Sequence, residues 1–284
     1  MDYNCWTYAL LSVGTTLNMT EQHLDQPARP VPGLPPRFGR CPETRVIYDS
    51  EAHLLDYEQD YFFAEYEKQY GRTYMEDEEA LRTLARRRLS RLRAYAKAPA
   101  RLFEIGCATG FFLDEARKRD YVVSGCELSA FASEKARELG LDVTTGGFLD
   151  LEIPDGSLDV IAAFYVLEHI PQQRSLFDRI ARLLRPGGVL LFALPSTYGP
   201  MFMLRPEEWA NSHPADHFAD YSPLSLSKTL RLYGIRLQRA WPASYHPARV
   251  GRIWALPGVR TLYRISAAAS SFGDTFEGIA LKEK

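Results

Sequence analysis

The chain has 284 residues, 34 Lys plus Arg against 36 Asp plus Glu, and a formal net charge of −2. At 46% hydrophobic it has the apolar surface to offset chain entropy, which excludes a disordered tail, and its balanced charge leaves no basic field to neutralise nucleic-acid phosphates. No run approaches the roughly 18–20 apolar residues of a membrane helix.

In chain order, the opening Met1-Asp2-Tyr3-Asn4 lacks a basic region, so the apolar run over 6–13 reads poorly as a secretory signal. Cys5, Cys41, Cys107 and Cys126 form no CxxC pair, which predicts reduced thiols and a cytoplasmic setting. Residues 27–36 hold five prolines in ten positions and predict an extended connector without ladder hydrogen bonds. A tyrosine-rich stretch follows, with Tyr48, Tyr57, Tyr61, Tyr66, Tyr70 and Tyr74. Over 76–98, Leu81, Leu84, Ala85, Leu89, Leu92 and Tyr95 recur at helical spacing. Glu76 to Glu79 suit the start of that helix, and Pro99 is expected to end it. Its six arginines, Arg82, Arg86, Arg87, Arg88, Arg91 and Arg93, sit beside acids and predict a solvated face rather than a phosphate-binding one.

From Arg101 onward apolar runs alternate with helical patterns. Strands are expected over 102–105, 121–126, 141–144, 158–164 and 189–194, with helices over 111–118, 129–139 and 172–184. That alternation predicts a parallel sheet with helices on both faces. Two further strands, 235–240 and 275–281, flank a mixed region rich in Arg, Pro and aromatics.

The most informative segment is Phe103-Glu104-Ile105-Gly106-Cys107-Ala108-Thr109-Gly110-Phe111, a glycine turn between strand and helix. Gly106 and Gly110 allow a tight turn and close approach to a ligand. A dinucleotide fingerprint would place its last glycine at position 111, which is Phe. Glu127 ends the next strand, where a carboxylate can accept hydrogen bonds from both hydroxyls of a ribose; a capping role beside Ser129 is the alternative.

These segments together resemble the class I S-adenosylmethionine-dependent methyltransferases. Glu104 to Gly110 resembles their motif I, with Ala108 in place of the middle glycine, and Glu127 resembles their ribose ligand. Residues 146–159 (GGFLDLEIPDGSLD), Val166-Leu167-Glu168-His169-Ile170 and Arg185-Pro186-Gly187-Gly188 resemble further motifs in the family's order. The resemblance implies an α/β fold: a doubly wound, mostly parallel seven-stranded sheet with a reversed last strand, plus an N-terminal helical lid. It implies S-adenosylmethionine as cofactor, with S-adenosylhomocysteine as product. Expected cofactor contacts are Glu104, Gly106, Cys107, Ala108, Gly110, Glu127, Leu128, Phe148, Phe164, Tyr165 and, from the lid, Tyr70. Where the family often has Asp to meet the adenine amino group, this chain has Gly147, so the backbone N–H of Phe148 is expected to serve. Three regions are implied: an extension with its Pro-rich connector over 1–48, a lid over 49–98, and a methyltransferase domain over 99–284. An acceptor-pocket insertion is expected at about 196–234. Related chains often begin with a zinc ribbon, but the lone Cys5 and Cys41 cannot supply four ligands.

Methyl transfer needs placement and, for a weakly acidic acceptor, a base. His169 and His217 are the expected catalytic histidines, the latter within Asp216 to Ser222 (DHFADYS), which resembles an acceptor-lining element of the family. For His169 a structural capping role is an equal alternative. Tyr74, Trp209 and His213 are expected to meet the acceptor; for the lid tyrosines and Trp209, packing of the lid onto the sheet is the alternative. The spacing of His213 and His217, with Asp216 and Asp220 nearby, would suit a metal on a helix, but Pro214 argues against a helix there and no metal is expected. A small-molecule acceptor is expected, methylated at oxygen, nitrogen or carbon, with no nucleic-acid partner. A nicotinamide-dependent oxidoreductase and a non-catalytic nucleotide-binding module are the alternatives.

Overall fold

The computed structural model describes residues 28–55, 76–243 and 256–284. The first elements are three short strands, β1 (Arg29–Pro30), β2 (Phe38–Arg40) and β3 (Ile47–Asp49), each antiparallel to the next. This corrects the expected connector. Pro30 pairs with Gly39 from an edge strand, a ladder position that tolerates a residue with no N–H.

Helix α1 (Glu78–Leu92) carries Glu78 and Glu79 in its first turn and buries Ala85, Leu89 and Leu92. It stops well before Pro99, and the N–H groups of Ala94 and Tyr95 bond three residues back to Arg91 O and Leu92 O, tightening the last turn. The expectation of a solvated arginine face is also corrected. Arg82 and Arg88 are 9% and 6% exposed. Arg82 Nη1 lies 2.7 Å from Asp114 Oδ2, and Arg88 Nε lies 3.1 Å from Glu277 Oε2. Carboxylates from distant elements make burial of these guanidiniums tolerable.

The main sheet is built from β4 (Arg101–Ile105), β5 (Val122–Glu127), β6 (Val143–Thr145), β7 (Leu158–Phe164), β8 (Leu184–Pro195), β10 (Ile235–Pro242) and β11 (Thr275–Lys282). Its order is β10-β11-β8-β7-β4-β5-β6. Strands β4 to β8 pair in parallel, while β11 runs antiparallel to both β8 and β10. This is the doubly wound sheet with its reversed last strand. The crossovers are α2 (Phe111–Arg117), α3 (Ala130–Glu138) and α4 (Gln173–Leu183). Between β8 and β10 lie α5 (Pro200–Leu204), α6 (Pro206–Asn211), the short strand β9 (Ala219–Asp220) and α7 (Pro223–Leu232); α8 (Pro257–Ser270) precedes β11.

Alternation along each strand splits the core in two. Phe103, Ile161, Leu190 and Phe192 face α4 and α7, packing with Phe177, Ile180 and Leu226. Leu102, Val160, Ala162 and Leu191 face α1 and α2, packing with Leu89, Phe112 and Leu113. Helix α1 is therefore part of the sheet's helical layer. A third, smaller cluster joins Val31, Phe38, Ile47 and Ala210, with Trp209 against it. Strand β9 completes the small sheet, pairing Ile47 with Asp220 and Tyr48 with Ala219. The expected boundary between residues 48 and 49 thus falls inside β3, and the insertion after β8 closes a sheet begun at Arg29. Among the described residues, no helix is long and apolar enough to cross a membrane.

Candidate functional site

The carboxyl ends of β4, β5 and β7 place the glycine turn, Glu127 and the segment from Tyr165 to His169 along one edge, where open α/β sheets bind ligands. Gly106 (φ +65°), Ala108 (φ +47°) and Gly110 (φ +82°) all adopt left-handed conformations. A Cβ on Gly106 would come within 2.9 Å of Val166 Cγ2, and one on Gly110 within 2.5 Å of Leu141 Cδ1. Glu127 pins the turn: Ala108 N–H donates to Oε2 at 2.9 Å, and Ser129 N–H donates to Oε1 at 2.9 Å. The cap of α3 is Ser129 itself, whose hydroxyl accepts from Ala132 N–H at 3.2 Å, so Glu127 is not the cap. Burial pushes the Glu127 carboxyl up, while the bonds from Ser129 and Ala108 oppose that. Each of its oxygens keeps capacity for another donor.

Glu104, 4% exposed, has no partner for Oε2 among the described residues. Burial drives its pKa well up; the Arg88 charge opposes this and Glu127 adds to it. An orphaned buried acceptor beside the turn suits a ligand that brings a cationic donor. Leu128, just past β5, is 58% exposed, and Tyr165, just past β7, is 39% exposed with φ +56°. Both side chains are open to a ligand at this edge. Cys107 donates its N–H to Cys126 O at 3.0 Å, and burial raises its thiol well above the ordinary range, so it acts as an uncharged spacer.

Phe164 and Trp209 are placed differently from the expectation. Phe164 has its ring 4.8 Å from Phe112 and 3.9 Å from the Arg88 guanidinium, so it serves the contact with α1 rather than a ligand. Phe148, 3% exposed, packs its ring 6.0 Å from Phe103, and the role expected of it is one for its backbone N–H. Trp209 sits between Phe38, at 5.2 Å, and Phe202, at 4.9 Å, as core of the small sheet. Tyr70 and Tyr74 lie outside the described residues.

The acceptor side is a cluster of imidazoles and carboxylates. Phe218 N–H donates to Glu168 O at 2.8 Å and ties the segment before β9 to the turn after β7. His169 Nδ1 lies 2.9 Å from Asp216 Oδ2, and Nε2 lies 4.0 Å from Glu168 Oε1. Burial opposes the charged form of His169, but the Asp216 bond and the Glu168 charge outweigh it and hold its pKa up. His169 and His217 meet edge to face at 4.7 Å. His217 Nδ1 lies 3.7 Å from Asp220 Oδ1. His213 cannot meet an acceptor: its side chain is 1% exposed, with Nε2 2.9 Å from Asp220 Oδ2 and Nδ1 3.3 Å from Asp49 Oδ2. That corrects the expected substrate role. Donor atoms of Glu168, His169 and His217 lie within 4.8 Å of one another, as do those of His213, His217 and Asp220; in the second set both His213 nitrogens already face carboxylates.

By their sequence, Asp216 and Asp220 are marked only as carboxylates near a disfavoured metal site, and Glu168 and Asp49 have no site role. The first three stand inside or beside the segments that carry His169 and His217, so adjacency was a usable signal; Asp49 had none.

Residues 77–240 match a family profile described as a methyltransferase domain. A probable S-adenosylmethionine-dependent methyltransferase of Mycolicibacterium smegmatis is 33% identical over 103 residues, 35% of this chain and 40% of that one. A ubiquinone biosynthesis O-methyltransferase of Nitrosococcus oceani is 28% identical over 178 residues, 56% of this chain and 74% of that one. The chain thus spans 40% of the first relative's length. The crystal structure of an S-adenosylmethionine-dependent methyltransferase from Archaeoglobus fulgidus shares the fold, with TM-score 0.54 and 18% identity over 80% of this chain and 100% of that one.

Proposed function

Taking as premise that the chain belongs to the S-adenosylmethionine-dependent methyltransferases, we propose that it moves the cofactor's methyl group to a hydroxyl of a small-molecule acceptor. The observation that carries the cofactor half is the Glu127 carboxylate bonded to the Ala108 N–H of a left-handed glycine turn. In this reading Glu127 takes the ribose hydroxyls, Glu104 accepts from the ammonium of the methionine end, and Leu128 covers the adenine. When bound, the sulfonium supplies a methyl carbon already activated for displacement. The protein's share is then orientation, exclusion of water and removal of the acceptor's proton. His217 is the proton acceptor, at the edge where the carboxyl end of β7 meets the segment before β9. Oxygen as the accepting atom is supported by that imidazole cluster and by the O-methyltransferase name of the Nitrosococcus relative.

Calorimetry with S-adenosylhomocysteine and with NAD, followed by transfer of labelled methyl to a panel of phenols and aliphatic alcohols, tests this reading. Affinity for S-adenosylhomocysteine with label on oxygen supports it. Affinity for NAD instead would favour an oxidoreductase, and affinity for neither a non-catalytic module.

Glu127→Ala is expected to lower S-adenosylhomocysteine affinity at least tenfold, since hydrogen bonds to a charged acceptor are worth about 1.5–3 kcal/mol each. Gly106→Val should be worse. Its φ of +65° disfavours any Cβ, and the added group would press on Val166 at 2.9 Å. Calorimetry on both variants, with circular dichroism as the folding control, checks this; unchanged affinity in both would put the pocket elsewhere.

A further inference from the structure

A buried row of acids and imidazoles runs from the small sheet to the end of β7: Asp49, His213, Asp220, His217, and then His169 with Asp216 and Glu168. Its first half is sealed. The side chains of Asp49, His213 and Asp220 are 0%, 1% and 2% exposed, so none of the three can touch a ligand. Charges held this deeply cost several kcal/mol each unless they are paired, and apolar residues of the same size would pack the small sheet at least as well. The row therefore needs a role other than stability.

Its geometry supplies one. Asp49 is fixed by Glu51 N–H at 2.9 Å and faces Arg37 Nη1 at 3.5 Å. The His213 ring is wedged edge-on against Phe38 at 5.0 Å and beside Trp209 at 4.8 Å. That fixes the direction in which Nε2 points, and Nε2 meets Asp220 Oδ2 at 2.9 Å. Asp220 Oδ2 is held by His213, which leaves Oδ1 facing His217 Nδ1 at 3.7 Å. A length of 3.7 Å does not exclude a working contact, since catalytic hydrogen bonds are often long before the ligand binds.

We propose that Asp49, His213 and Asp220 are positioning residues for His217, holding it in the tautomer whose proton sits on Nδ1 toward Asp220 and whose Nε2 is bare to receive the acceptor's proton. The proposal rests on the reading of His217 as the base. Charge keeps the row in one state. Burial opposes the His213 cation, but the Asp220 and Asp49 carboxylates hold its pKa up to about 9. Burial likewise opposes the Asp220 anion, and the bonds from His213 and His217 outweigh it. Through neutral pH, Asp220 is thus an ionised acceptor at a fixed angle. The other titratable groups facing His217 are His169, across a 4.7 Å ring contact, the His213 ring at 5.4 Å, and Glu168, whose carboxyl burial raises against the opposing charge of His169. Among the described residues Glu168 offers no hydrogen bond that would select the opposite tautomer. Orienting carboxylates of this kind are worth ~10–100-fold at metal-ligating histidines and about 10⁴-fold in the Ser-His-Asp triad.

The test uses the full chain labelled with ¹⁵N in histidine, saturated with S-adenosylhomocysteine, and long-range ¹H–¹⁵N correlation spectra at pH 7.5. Prior calorimetry on each variant separates the two claims, because failure to bind S-adenosylhomocysteine defeats the cofactor reading while the tautomer can still be read. The expected spectrum shows His217 protonated on Nδ1 alone and His213 protonated on both nitrogens. Asp220→Asn should move His217 to a mixture of tautomers with S-adenosylhomocysteine affinity within twofold, and Asp220→Glu should restore the Nδ1 form. Should Asp220→Asn fail to fold, Asp49→Asn tests the same row: His213 then loses its second proton at a lower pH than in the parent. The proposal is overturned if His217 carries its proton on Nε2 in the parent, or if Asp220→Asn leaves the His217 signals unmoved. It is also overturned if one equivalent of Zn²⁺ or Mg²⁺ shifts the His169 and His217 signals together, since that would make them ligands.

Discussion

Replacing His217 with alanine is expected to cut turnover on a hydroxyl acceptor by about 10²–10⁴-fold, the usual worth of a positioned general base. Affinity for S-adenosylhomocysteine should stay at the parent value, because none of the contacts that hold the glycine turn involves this side chain. Activity should not vanish. Orientation of the two reactants alone is worth roughly 7–11 kcal/mol of barrier, and Glu127, Gly106 and Leu128 are untouched in the variant. The same change at His169 should cost less. Its Nδ1 is bound to Asp216 at 2.9 Å, and Asp216 and Glu168 make it hold a proton more tightly than an ordinary imidazole. A side chain that keeps its proton is a poor base, but a useful positive neighbour for an oxygen that is losing one. Single-turnover rates for the two variants, read beside calorimetric affinities, check the distinction. Full turnover in His217→Ala would remove the imidazole from the chemistry and leave positioning as the whole catalytic account.

The sheet was legible in the sequence because a parallel strand is covered on both faces and reads as an unbroken apolar run. Val160-Ile161-Ala162-Ala163 in β7 is the plainest case, with each residue at 0% exposure. The glycine turn was legible for a different reason. Three left-handed positions in five residues admit few side chains, so Gly106, Ala108 and Gly110 had to be small. Burial of charge was not legible. Arg88 finds Glu277 189 positions away, and Arg82 finds Asp114 32 positions away. A local window shows only arginines beside acids, and the ordinary inference from that is a wet surface. His213 misled in the same way. It lies just ahead of the segment that resembles an acceptor-lining element, yet carboxylates from β3 and β9 bracket its ring, and the pairing of those strands is a long-range event. The proline-rich segment failed on a finer point: prolines forbid a central strand, whereas an edge asks only that the missing N–H face outward.

The largest stability effect is expected at Glu277. This carboxylate sits on β11 at 2% exposure, directly across from Trp241 on β10 and Ala193 on β8. It accepts from Arg88 Nε at 3.1 Å and from Arg87 Nη2 at 3.3 Å, and it also pairs closely with Arg91. The three arginines differ in what they could do without it. Arg87 is 49% exposed and Arg91 30%, so water can take over their solvation, and Arg91 keeps the Trp241 ring at 4.5 Å. The Arg88 side chain is 8% exposed and has nowhere to turn: its guanidinium lies 3.9 Å over Phe164, and Nη2 already lacks a partner among the described residues. Removing one member of a buried pair leaves the other charge uncompensated, and Glu277→Ala is therefore expected to destabilise the fold by about 3–5 kcal/mol. In urea the midpoint should fall with little change in slope, since the same surface is exposed on unfolding. The companion variant makes the argument specific. Replacing Arg88 by leucine together with Glu277→Ala removes the stranded charge and should recover much of the loss, a coupling that a double-mutant cycle reads directly. The cycle also reaches the cofactor site, because the Arg88 charge is what opposes the burial of Glu104. With Arg88 gone, Glu104 should hold its proton more tightly, lose its worth as an acceptor for an ammonium group, and bind S-adenosylhomocysteine more weakly even in the variant whose stability has recovered. A loss below about 1 kcal/mol for Glu277→Ala, within the range of an exposed pair, would mean that water reaches Arg88 after all and that α1 is held to the sheet by its leucines alone.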